Sequence, residues 1–100
     1  MTPAGLDGLR RALAQLVAGR ARIAARVRAL DDEAQVLTGH AESVLRAGDE
    51  PAARRFLKHR QSLHRQLASL QANDGELAAE ESRVRALIAA AERQLAVGPG

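Results

Sequence analysis

Arg20, Asp74 and Glu81 are charged residues at positions where a 3-4 spacing otherwise places apolar side chains. A guanidinium between two carboxylates makes charge-assisted hydrogen bonds. Within a seam between helices such a layer costs stability but can fix register. If the chain reverses near residues 48–49, Arg20 falls opposite Leu77, with Asp74 and Glu81 one turn to either side. We read Arg20, Asp74 and Glu81 as a register lock. The alternative is that Arg20 carries its head out to water on its methylene stem.

The three histidines are His40, His59 and His64. His40 and His59 could approach each other near the reversal. Two imidazoles without a cysteine or a clear third ligand make a poor metal site, so solvated surface histidines are the expectation. No serine sits in a nucleophile elbow, and no glycine-rich loop could cradle a phosphate. A rod of two helices offers no concave, water-excluding pocket. Catalytic, metal-binding and cofactor-binding residues are therefore expected to be absent, and no small-molecule substrate is expected.

Arg54, Arg55, Lys58 and Arg60 form a basic cluster with Phe56 and Leu57 between them. Such a cluster can contact phosphates of nucleic acid or of anionic lipid headgroups. There is no aromatic platform for bases and no groove-reading motif, which weighs against nucleic acid. The other reading is a solvated face paired with Asp31, Asp32, Glu33 and Glu42.

The elements that must position these residues are read from two apolar seams. The first runs Leu6, Leu9, Leu13, Leu16, Arg20, Ile23, Val27, Leu30, Ala34, Leu37, Ala41, Val44. The second runs Ala53, Phe56, Arg60, Leu63, Leu67, Leu70, Asp74, Leu77, Glu81, Val84, Ile88, Ala91, Leu95. A sustained 3.5-residue period marks helices that coil around a partner. The predicted fold is all-α, a long antiparallel two-helix coiled-coil hairpin forming a single domain over residues 1–100. The first helix is placed at about 6–47, the turn at 48–50 and the second helix at about 50–96. Met1–Gly5 reads as a frayed start, with Asp7 as a cap or first-turn acid. Gly48 takes the left-handed position after a helix, Asp49 caps the next one, and Pro51 is tolerated in its first turn. Val97–Gly100 ends the second helix. Asn73-Asp74-Gly75 is a turn signal. It supplies the rival fold, a three-helix bundle with a second bend there. The seam keeps its phase across that segment, which favours the unbroken helix. Gly19, Gly39 and Gly75 are the weak points inside the helices. Ala14, Ala18, Ala21 and Ala25 form a stripe off the seam, read first as good helix formers and second as a close-packing face.

Composition agrees. The chain has 46% hydrophobic residues but one aromatic, Phe56, and no cysteine. That is the make-up of long helices with a thin core, which self-association would help. Lack of cysteine fits an intracellular home. No apolar run approaches the ~20 residues of a membrane span, and no secretory signal is recognisable. Net charge is +3, but it is blocked: +5 over residues 1–30, −5 over 31–53, +5 over 54–65 and −2 over 66–100. Folding the chain back at Gly48 overlays opposite signs twice. Flanking charges of this kind set orientation more than stability.

Around the turn, Ala41, Leu45, Gly48, Ala53, Arg54, Leu57, Leu63, Gln66, Leu67 and Leu70 occupy the positions of a segment of the form A-x-x-A-L-x-x-G-x-E-x-L-A-R-x-A-L followed by K-x-x-L-x-x-Q-L-x-x-L. This resembles the hairpin region of the phage-shock-protein A family, which includes the vesicle-inducing protein of plastids and is distantly related to ESCRT-III proteins. The resemblance is specific over 41–70 and extends through 8–96. It implies a non-enzymatic protein that acts by protein–protein assembly in envelope-stress or membrane-maintenance work. It further implies a bacterial, cytoplasmic protein, peripheral at the inner membrane face. Family members bind anionic membranes through an N-terminal amphipathic helix and polymerise through helices beyond the hairpin. Residues 1–8 are too short and glycine-rich for that helix, so weak membrane binding is expected. The expected partner is a second copy or a longer relative. Two other readings stand beside this one: a nucleic-acid or anionic-surface binder using the arginine clusters, and a generic coiled-coil adaptor.

Overall fold

The computed structural model describes residues 2–98 and contains two helices, α1 (Pro3–Arg46) and α2 (Glu50–Val97). No strand occurs among the described residues. The molecule is a helical hairpin. α2 runs without interruption through Asn73-Asp74-Gly75, so the three-helix alternative is not the fold. Gly39 and Gly75 also lie inside continuous helix. Propensity costs of ~1 kcal/mol per glycine are outweighed by the seam on either side.

The start of α1 differs from the sequence expectation. The helix begins at Pro3, not near Leu6, and its cap is Thr2, not Asp7. Thr2 Oγ1 accepts a hydrogen bond from the Gly5 amide at 3.0 Å, and the Thr2 carbonyl accepts from the Leu6 amide at 3.0 Å. Proline at the first helical position is preorganised and lacks only an amide that would be orphaned anyway. Asp7 instead sits 3.7 Å from Arg10 within the first turns. Met1, part of the expected frayed start, lies outside the described residues.

The reversal is short because both helices are capped by the same few residues. Gly48 has φ +85°, the left-handed region. Its amide donates to the Leu45 carbonyl at 2.9 Å, and the Asp49 amide donates to the Val44 carbonyl at 2.9 Å. That pair of bonds satisfies the last carbonyls of α1 in a Schellman arrangement. Asp49 Oδ1 then accepts from the Ala52 amide at 3.1 Å, capping α2, with Pro51 in the first turn. At the far end α2 stops at Val97, where Gly98 has φ +66°; Pro99 and Gly100 lie outside the described residues.

Two compact units can be distinguished. One is Ile23–Asn73, which contains the turn. Its core is Leu30, Ala34, Leu37, Leu63 and Leu67, with Val27, Phe56 and Leu70 packed against it. Leu30 is 1% exposed. Ala41, Ala52 and Ala53 are buried nearer the turn. The other unit pairs the segment ending at Arg22 with the segment starting at Asp74. Its core is Leu6, Val84, Ile88 and Ala91, flanked by Leu9, Leu13 and Leu16. Every seam position of α1 is buried or half-buried, and so is every one of α2 except Leu95, which is exposed.

Candidate functional site

The chemistry-bearing residues fall into three groups. The first lies in the unit that contains both ends of the helical pair. Arg20 Nε donates to Asp74 Oδ1 at 2.9 Å and Nη2 donates to Asp74 Oδ2 at 3.3 Å. Arg20 Nη1 donates to Glu81 Oε1 at 3.2 Å. One arginine thus bridges two carboxylates a pair of turns apart on the facing helix. Glu81 also accepts from Arg85 Nε at 3.0 Å. The Arg20 side chain is 34% exposed and that of Glu81 16% exposed, so the head group remains within the seam rather than standing out in water. The Asp74 carboxyl is held below its ordinary value by the hydrogen bond from Arg20. Glu81 is lowered first by Arg85 and then by Arg20. Arg20 is raised in turn, chiefly by Asp74 and next by Glu81. Arg10 adds a wider cross-helix pair with Glu92 at 3.6 Å, both side chains more than half exposed.

The second group is the basic cluster. Its members do not share one environment. Arg54 pairs with Glu50 of its own helix at 2.6 Å. Arg60 lies in the seam and donates through Nη1 to Thr38 Oγ1 at 3.0 Å; Thr38 in turn donates to the Ala34 carbonyl at 3.1 Å. Arg55 and Lys58 are exposed, and among the described residues neither forms an ion pair. Arg54, Arg55, Lys58, Leu57 and Gln61 line one open surface patch. Among the described residues none of the four basic side chains makes the expected pairing with Asp31, Asp32, Glu33 or Glu42; their neighbour His59 makes one contact with these acids, Nε2 to Glu33 Oε1 at 3.9 Å. The reason is angular. Helical spacing places Arg54 and Lys58 on the side of α2 away from the seam of Ala53, Phe56, Leu63 and Leu67, so overlaid blocks of charge need not touch.

The histidines form the third group. The structure does not bring His40 and His59 together. His40 stacks against Phe56 with ring centroids 5.3 Å apart, and His59 lies beside Glu33. Among the described residues no three histidine, aspartate or glutamate side chains converge as a metal site would require. No helix among the described residues is long and apolar enough to cross a membrane.

The Thr38–Arg60 contact was not foreseen from sequence. Thr38 stands one residue outside the seam, and a threonine inside a helix carries little signal by itself. The usable clue was Arg60, a second arginine in a seam position with no carboxylate predicted opposite it.

Among the described residues six large apolar side chains outside the seam remain on the surface: Val17 (43% exposed), Val36 (56%), Leu45 (57%), Leu57 (38%), Leu87 (53%) and, at the end of α2, Val97. Set against known proteins, residues 4–97 match the model of the PspA/IM30 family. No curated protein and no solved structure matches the sequence. The match takes in both helices and the turn between them, and the chain belongs to the PspA/IM30 family.

Proposed function

We propose that this chain is a non-enzymatic coiled-coil hairpin protein that works by protein–protein assembly, in the envelope-stress or membrane-maintenance setting of its family. The observation that carries the reading is the set of exposed apolar residues, Val17, Val36, Leu45, Leu57 and Leu87, left over after the two helices have paired. A hairpin buries one stripe per helix. Covering the remainder against another helical surface gains about 25 cal/mol per Å² of apolar area, offset by the entropy of association. The partner is a second copy, giving a four-helix arrangement, or a longer relative of the same family. Residues 1–100 act as one hairpin module. Arg20, Asp74 and Glu81 serve as its register lock, and Gly48, Asp49 and Pro51 as its turn. The setting is cytoplasmic, peripheral at the inner face of the membrane.

Sedimentation equilibrium at micromolar concentration, alone and mixed with a full-length relative, tests this. The expected result is a homodimer or a mixed assembly. A monomer that also ignores the relative overturns it.

A second reading is supported by one observation: among the described residues Arg55 and Lys58 have no carboxylate partner. We propose, as the lesser function, contact of Arg54, Arg55 and Lys58 with an anionic lipid surface; Arg60 is engaged with Thr38. Vesicles rich in acidic lipid should retain the protein weakly at low salt and release it as screening increases. Retention unchanged in the variant Arg54→Glu/Lys58→Glu would sink this reading.

A further inference from the structure

We propose that the Arg20–Asp74–Glu81 layer is a release point. The pairing of residues 3–22 with residues 74–97 opens as one cooperative unit, while Ile23–Asn73 remains closed.

Four observations converge on this. First, buried residues are missing beside the layer: among the described residues none lies between Leu6 and Leu30 on α1 or between Leu67 and Val84 on α2. The seam of α1 passes from Leu16 through Arg20 to Ile23, and that of α2 from Leu70 through Asp74, Leu77 and Glu81 to Val84. Three charged positions therefore replace apolar contact along that stretch. Such a layer fixes register but adds little adhesion, because desolvation of the ions offsets their attraction.

Second, each helix carries a glycine beside the layer, Gly19 next to Arg20 and Gly75 next to Asp74. A Cβ at Gly75 would meet no atom within 4 Å, and one at Gly19 would meet only the end of Arg22 at 3.7 Å, so packing does not demand glycine at either site. What glycine does supply is local backbone freedom.

Third, the unit boundaries fall at the same place, after Arg22 on α1 and before Asp74 on α2. Fourth, the two units are unequally held. Ile23–Asn73 contains the tight turn, so its helices are tethered a few residues from their contacts and reclose at small entropic cost. It also contains Leu30, among the described residues the one large side chain that is fully buried. Among the described residues the other unit buries four side chains, Leu6, Val84, Ile88 and Ala91, against eight in Ile23–Asn73. Regions with shallower burial open first in native proteins. Opening would present Leu9, Leu13 and Leu16 on α1, and Leu77, Val84 and Ile88 on α2, without releasing the turn end.

Hydrogen exchange read by mass spectrometry on the full chain tests this, at a concentration where sedimentation shows one species. Peptides from 9–20 and 76–91 should exchange together, about tenfold or more faster than peptides from 27–37 and 60–70. Filling the seam with Arg20→Leu/Asp74→Leu/Glu81→Leu should bring the two sets level. Gly19→Ala/Gly75→Ala, which adds no apolar seam contact, should narrow the gap. Simple fraying of the ends gives a gradient along each helix that neither variant removes. Equal protection of both sets in the native chain overturns the proposal. So does a smooth gradient, or a gap that survives both variants.

Discussion

Arg60 donates a hydrogen bond to Thr38 Oγ1 at 3.0 Å across the two helices, and among the described residues neither has a carboxylate partner. The pair is a neutral-acceptor counterpart of the Arg20 layer, set in the unit that contains the turn. Replacing Thr38 by valine keeps the shape but removes the acceptor. Loss of such a bond costs about 1–2 kcal/mol. Making both sides apolar should recover most of that, since no donor is then left unsatisfied. Urea unfolding of Thr38→Val, Arg60→Met and the double variant checks this. A double variant worse than either single one would show that the pair does not act through this bond.

Leu30 and Leu67 belong to one buried cluster, with Leu30 the more deeply buried at 1% exposure against 9%. Leu30→Ala is expected to cost about 3 kcal/mol and Leu67→Ala about 2 kcal/mol. Because the side chains share a core, the double variant should depart from additivity by more than about 0.5 kcal/mol. Denaturant midpoints of the four proteins measure it. Strict additivity would place the two leucines in separate environments.

Two glycine substitutions should have opposite signs. At Gly39, inside α1 with open space where a Cβ would go, alanine should stabilise by about 1 kcal/mol. At Gly48, with φ +85°, alanine meets the same open space but adopts a left-handed backbone. There it should cost about 1–2 kcal/mol. Thermal melts followed by helical circular dichroism distinguish the two. Matching shifts of the same sign would contradict the conformational account of the turn.

Acid should weaken the end that carries Arg20. Asp74 and Glu81 both have folded-state pKa values below their ordinary 3.8 and 4.5. A depressed carboxyl contributes stability that is fully present above its unfolded pKa and is lost as pH falls through the folded one. The loss should thus begin near pH 4.5 and continue downward. Arg20 stays charged throughout and adds no pH dependence of its own. Melts across this range for the native chain and for Asp74→Asn/Glu81→Gln check the assignment. The variant should be less stable at neutral pH and flatter below it. Equal slopes in the two proteins would move the acid sensitivity elsewhere.

The seams were legible because period and burial express the same geometry: a residue stepping by three and four lands on the face that meets the partner. Arg20, Asp74 and Glu81 could be matched because each stood out as a charge within that period. The N-terminus was misread for a physical reason. Pro3 and Gly5 are helix breakers in the interior, but in the first turn proline is favoured, and Thr2 ahead of it supplies the cap. Pairing of the basic cluster with the acids of α1 was misread because block charge ignores azimuth. Arg54, Arg55 and Lys58 belong to the right stretch of α2 to oppose the acids of α1, yet they project from another side of the helix. His40 found Phe56 rather than His59, a choice between neighbouring turns that residue type alone does not make.

The stacking of Phe56 on His40 also decides how this molecule can be watched. With no tryptophan or tyrosine, its near-ultraviolet signal comes from a single ring. That ring sits half-buried against the core of Ile23–Asn73, less than two turns from the reversal. Any sharp near-ultraviolet circular dichroism therefore reports on that unit alone, while the far-ultraviolet signal averages over all the helix there is. A melt in which the two signals separate would be read directly as one part of the molecule outlasting the other.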